Sequence, residues 1–109
     1  IIAHKDVYDE LVAELSKAAA TWKLGDQMDP ETQNGPLVSG EHYEKVSGLV
    51  ASGKTQGARV AQGGDGAGGL LFNPTVFADV TPEMEIFQTE IIGPVVAVAK
   101  ADCAADALA

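Results

Sequence analysis

Residues 73–99 read NPTVFADVTPEMEIFQTEIIGPVVAVA, and the reading of this stretch decides the fold. Thr75 to Val80 and Val95 to Ala99 are rich in Val and Phe and bounded by Pro or Gly, the composition and punctuation of strands. Thr81 to Gly93, between them, is an irregular connection with one helical turn expected around Pro82 to Ile86. Upstream, Ala58 to Ala61 is short and β-like, and Gly63 to Gly69 is a loop made almost entirely of glycine. Ser39 can cap a helix that carries Tyr43, Val46, Leu49 and Val50 on one face, with Gly53 near its end. Leu24 to Val38 holds Gly25, Pro30, Asn34, Gly35 and Pro36, which makes it an ordered loop.

Further outward, Asp6 can cap a helix whose apolar positions Val7, Leu11, Leu15, Ala18, Ala19 and Trp22 recur at spacings of three and four. Ile1 to Ala3 reads as the tail of a strand. At the other end, Asp102 to Ala109 looks like the first turns of a helix, with Asp102 as its cap. Helix and strand alternate, so an α/β fold is expected, its helices packed on a mostly parallel sheet. No repeat and no linker divides the chain, and residues 1–109 are taken as a single domain.

Composition bounds the function. An apolar fraction of 46% with 12 Gly and 5 Pro suits a folded segment and is too apolar for a disordered one. A formal charge of -9 repels phosphate backbones and anionic lipid, so neither nucleic acid nor a membrane surface is expected as partner. The longest apolar run, Val95 to Ala99, is far short of the roughly 20 residues of a membrane-spanning helix. No secretory signal pattern opens the chain, and a cytoplasmic location is expected. Cys103 is the lone cysteine, so no intrachain disulfide can form. The chain opens inside an apparent strand and stops inside an apparent helix, which suggests a piece of a larger protein.

Several stretches resemble sites. Gly64-Asp65-Gly66-Ala67-Gly68-Gly69 matches the dinucleotide fingerprint GxGxxG, but that motif works only between a strand and a helix whose N-terminus faces a pyrophosphate. Here the glycines run into Leu70, Leu71, Phe72 and Pro74, and a surface turn is the better reading. A nucleophilic thiolate needs a cation or base beside it, whereas the neighbours of Cys103 are Asp102 and Asp106. Cys103 is therefore read as a small buried or half-buried residue. His4 and His42 are far apart, and no His, Cys and carboxylate set has metal-ligand spacing. Asp26, Asp29 and Glu31 cluster in a loop without the calcium-loop pattern and are read as turn and capping carboxylates. Glu90 differs from these, because it stands just before a strand, at the kind of loop-to-strand junction where ligand contacts gather.

Four blocks in register then carry a resemblance. Gly35-Pro36-Leu37, Gly63-Gly64, Asn73-Pro74-Thr75-Val76-Phe77 and Glu90-Ile91-Ile92-Gly93-Pro94-Val95 occur in the order and at about the spacing of NAD(P)-dependent aldehyde dehydrogenases. The likeness spans nearly the whole chain and resembles part of the catalytic domain, downstream of the catalytic cysteine. Such enzymes oxidise an aldehyde through a thiohemiacetal on a cysteine, pass hydride to NAD or NADP, and hydrolyse the thioester with water activated by a glutamate. The resemblance implies that nucleophile, base and dinucleotide domain all lie upstream of this segment. No residue here is then catalytic, and Cys103 is not the family nucleophile. Glu90 matches a glutamate that clamps the hydroxyls of the nicotinamide ribose, and Ile92 stands where the family usually has Phe beside the nicotinamide. Both are expected as cofactor-binding residues of a full-length parent. The chain alone is expected to be inactive and to bind neither NAD nor NADP tightly. Its expected partner is the remainder of the parent or a second copy. The alternative is a stand-alone interaction module that kept the fold and lost the activity.

Overall fold

The computed structural model describes residues 1–109. Strand β1 (Ile2–His4) runs directly into helix α1 (Lys5–Thr21), and a loop leads to α2 (Gly40–Thr55). Then come β2 (Arg59–Gln62), β3 (Gly66–Gly68), β4 (Leu71–Phe72), β5 (Thr75–Ala78), the one-turn helix α3 (Glu85–Gln88), β6 (Val95–Ala97), β7 (Ala99–Ala101) and α4 (Ala104–Leu108).

The centre is a three-stranded sheet in the order β2-β5-β6. Strand β5 pairs parallel with β6, with Val76 opposite Val96, and antiparallel with β2. The chain then passes through Val98 and changes partner, so that β7 pairs parallel with β1. Parallel pairing is thus present at β5–β6 and β1–β7, whereas β2–β5 and the β3–β4 hairpin are antiparallel. The α/β class stands, and the sheet is mixed.

Strand β5 is buried along its whole length, and its alternation divides the core in two. Phe77 joins Val46, Leu49, Val50 and Ile86 on the side of α2 and α3. Val76 and Ala78 face the other way, onto Tyr8 and Val12 of α1. Successive side chains of a strand point to opposite faces, so a continuously apolar strand is what a two-sided burial requires. The chain is therefore layered, with α1 on one face of the sheet and α2 with α3 on the other.

Beyond β5, Asp79 turns the chain with a φ of 56°, a conformation that Asn and Asp adopt more readily than other side chains. Its carboxylate accepts from the Tyr8 hydroxyl at 3.0 Å and from Arg59 Nε at 2.8 Å, so α1, β2 and the end of β5 meet on one side chain. The Arg59 hydrogen bond is the main cause that holds the Asp79 carboxyl below its ordinary range, against a smaller opposing effect of burial. Burial pushes the Tyr8 phenol up.

The sequence reading needs correction at several ends. Helix α1 begins at Lys5 and is capped by His4, whose Nδ1 accepts from the Asp6 N–H at 3.3 Å, so Asp6 is inside the first turn. Val7 and Trp22 belong to the periodic apolar set, yet both are about half exposed. Helix α4 is capped at Cys103 without a side-chain bond, and Asp102 instead donates its N–H to Asp106 Oδ2 at 2.9 Å. Cys103 is exposed and not buried. The glycine stretch is not all loop, because Gly66–Gly68 forms a strand against Leu71–Phe72. The strand expected through Val80 stops at Ala78, and the one expected over Val95 to Ala99 is split at Val98. The helical turn expected near Pro82 lies at Glu85–Gln88, after a tight turn in which Met84 donates to Thr81 O.

The surface is large for the mass. A folded monomer of 11.3 kDa exposes about 5,700 Å² by the usual size scaling, and this chain exposes 6432 Å². The surplus is partly apolar, since Ile1, Ile2, Val38 and Leu108 all face solvent.

Candidate functional site

The site begins where α3 ends. The Thr89 N–H bonds back to Glu85 O at 2.8 Å and closes the helix, and Glu90 to Gly93 then crosses the surface without regular structure. At the far end, Thr75 donates to Pro94 O and Val95 to Gly93 O, each at 2.8 Å, which locks the chain into the β5–β6 pairing. Both ends of the loop are therefore fixed to the core. Its middle rests on α2. Ile91 packs against the α2-side core cluster, and a Cβ built on Gly93 would stand 3.1 Å from Val46 Cγ2. Glycine at 93 lets the backbone lie flat on the helix.

Glu90 is exposed, and its carboxylate makes no hydrogen bond or ion pair within the chain. Such a group is a free double acceptor, suited to a pair of hydroxyl donors. Ile92 is 64% exposed. The structure thus brings both candidate residues, Glu90 and Ile92, to the outer face of one anchored loop. Beside Ile92 a cleft of about 290 Å³ is lined by Val38, His42, Lys45, Val46, Leu49 and Ile92 itself.

Sequence reasoning passed over His42. Its backbone N–H is capped by Ser39 Oγ at 3.1 Å in the first turn of α2, and its ring Nε2 meets the Ile92 carbonyl. No motif or periodicity signals this contact. It joins residues fifty positions apart, and only the packing of the loop on α2 brings them together.

The other tempting stretches have structural roles. The glycines of Gly64–Gly69 lead into a hairpin and not a helix, so the context that a pyrophosphate site needs is missing. Lys54 Nζ donates to Gly64 O, and the Gly64 N–H donates to Thr75 Oγ1, which ties this segment to α2 and β5. Asp26 and Asp29 each accept a backbone N–H two residues on, at 2.8 and 2.9 Å, and so are turn carboxylates. No group of three or more His, Cys, Asp or Glu is arranged to hold a metal ion. No helix is long and apolar enough to cross a membrane.

A layered α/β unit with an anchored loop that presents a free carboxylate at a loop-to-strand junction is the class that the fold and the site define. The particular family follows from comparison with known proteins. A model described as the aldehyde dehydrogenase family matches residues 1–109, and the chain belongs to that family. It is 37% identical over 102 residues to aldehyde dehydrogenase family 2 member C4 of Arabidopsis thaliana, a match over 92% of this chain and 20% of that protein. Among solved structures, it is similar to a mutant aldehyde dehydrogenase from Bacillus cereus, with a TM-score of 0.94 and 42% identity over 97% of this chain and 22% of that one. It is also similar to a Mycobacterium tuberculosis aldehyde dehydrogenase complexed with NAD+, at a TM-score of 0.92 and 40% identity over 99% of this chain and 23% of that one. The chain spans about a fifth of the length of the curated relatives it matches.

Proposed function

We propose that this chain is the part of an NAD(P)-dependent aldehyde dehydrogenase that presents Glu90 to the nicotinamide ribose, and that it does not oxidise aldehydes alone. The observation that carries the reading is the Glu90 carboxylate, unpartnered and exposed on a loop pinned at both ends, in a chain that belongs to this family. The residues present fit that cofactor. A carboxylate can accept both ribose hydroxyl hydrogens, and holding the sugar fixes the ring attached to it, a positioning contribution to hydride transfer. The exposed Ile92 side chain, two residues on, gives the ring an apolar flank. When bound, NAD or NADP supplies the hydride acceptor.

Nothing else here provides the remaining chemistry. Cys103 is exposed beside Asp102 and Asp106, and the glycine fingerprint opens no helix. Two experiments test the reading. Purified residues 1–109, mixed with NAD or NADP and a panel of aldehydes, should give no reduced cofactor by absorbance, and robust turnover would overturn it. In the full-length protein, Glu90→Gln should weaken NAD binding about tenfold, the order expected for a charge-assisted hydrogen bond.

A second reading, an interaction module, is favoured by the exposed apolar surface. Strand β6 is an edge of the central sheet, and beside it Leu15, Ala19, Trp22, Val95 and Val96 line an apolar groove. Such a face suits the remainder of the parent or a second copy. A well-behaved monomer in sedimentation would count against self-association. A cytoplasmic location belongs to the same proposal, and the single, unpaired cysteine is consistent with it.

A further inference from the structure

His42 is held in an arrangement that stability alone does not account for. Its Nε2 faces the carbonyl oxygen of Ile92, which can only accept, so Nε2 carries the hydrogen. Its Nδ1 is buried and has no partner. A buried acceptor left unmet is unfavourable, and an apolar side chain would fill the same space without that cost. What the imidazole adds over an apolar residue is its single bond to the loop. That bond, with Gly93 packed on Val46, fixes the segment that carries Glu90 to the first two turns of α2.

We propose that His42 is a positioning residue for the cofactor: by donating from Nε2 to the Ile92 carbonyl, it holds the Glu90–Gly93 loop on α2 and sets where the Glu90 carboxylate stands. The proposal rests on the reading of Glu90 as the ribose ligand. His42 acts through the backbone, so its effect on cofactor binding must pass through Glu90. A glutamine at 42 places its amide nitrogen about where Nε2 lies, whereas an asparagine presents its nitrogen nearer the position of Nδ1. The two amides therefore separate the bond from the bulk and polarity of the side chain.

The test uses the full-length protein that contains residues 1–109, with NAD binding followed by quenching of protein fluorescence and loop opening by amide hydrogen exchange over residues 90–93. His42→Asn should weaken NAD binding about fivefold, the order expected for one lost neutral hydrogen bond, and should speed exchange in the loop. His42→Gln should bind NAD within about twofold of the parent, with slow exchange restored. In a Glu90→Gln background, His42→Asn should weaken binding no further, because the group it positions is already lost. A Glu90→Gln variant that binds NAD like the parent overturns the ribose-clamp reading and this proposal with it. If Glu90→Gln weakens binding but His42→Asn does not, or if His42→Asn adds its full factor on top of Glu90→Gln, only the role of His42 is overturned. Failure of His42→Gln to restore slow exchange overturns it as well.

Discussion

Two glycine-bearing loops of this chain differ in a way that their letters do not show. Gly64–Gly69 spells a phosphate-binding fingerprint, yet its start, with Gly63, is tied into the fold and its remainder forms one strand of an exposed hairpin. Gly63 has a φ of 70°, and a Cβ there would lie 2.3 Å from the Pro74 carbonyl oxygen, while Gly64 is bonded to Lys54 and Thr75. Glu90–Gly93 matches no general motif. It is anchored at its ends and underneath, and it leaves one carboxylate and one apolar side chain facing outward. A loop with its polar groups already partnered makes structure, whereas a loop held rigid with one polar group free makes a site.

Substitutions can break or sharpen this contrast. The largest effect should come from the strand that both loops lean on. Phe77 is fully buried, and Phe77→Ala should cost about 4 kcal/mol, seen as a drop in denaturation midpoint. Gly63→Ala should follow at roughly 3 kcal/mol, since the new methyl has backbone in its way and the conformation disfavours it. The folded fraction should bind NAD normally in the full-length protein, and a loss of affinity there would make the fingerprint loop part of the site after all. Gly93→Ala should do the reverse. Its methyl meets only side chains, Val46 at 3.1 Å and Leu37 at 3.8 Å, so stability should fall by less than about 1 kcal/mol while NAD affinity drops about threefold.

Smaller still is the pH effect at Asp79. Its carboxyl is held below the ordinary range in the folded chain, so its contribution is present above the unfolded value, about 3.9, and lost as pH falls through the lowered folded value. The pair with Arg59 is half exposed, which keeps the effect small. Thermal melts between pH 5 and pH 2 should therefore fall slightly less steeply for Asp79→Asn than for the parent, and equal slopes would remove Asp79 from the account. The smallest change should be Asp65→Ala. The Asp65 side chain bonds only the Asn73 side-chain amide, at 3.2 Å, and its removal should alter stability by less than about 0.5 kcal/mol and leave cofactor affinity as it was.

Much of this was legible before the structure. Val76, Phe77 and Ala78 announce a strand, and Leu11, Leu15, Val46 and Leu49 announce two amphipathic helices, because burial imposes a period that composition records. The register of four blocks carried the family. Helix ends were less legible, since His4 and Asp6 are both able to cap and the choice depends on where the preceding strand β1 hands the chain over. The division of Val95–Ala101 into two strands was invisible, because pairing of β7 with β1 is a contact between residues nearly a hundred positions apart.

Sequence by itself determined the layered α/β class, the family and the candidacy of Glu90 and Ile92, all of which rest on local pattern or on blocks in order. Tertiary structure alone decided that Glu90 is free, that Gly63 is crowded, and that His42 reaches the Ile92 carbonyl. Each of these depends on which distant backbone comes to rest against a side chain, and no local period encodes that.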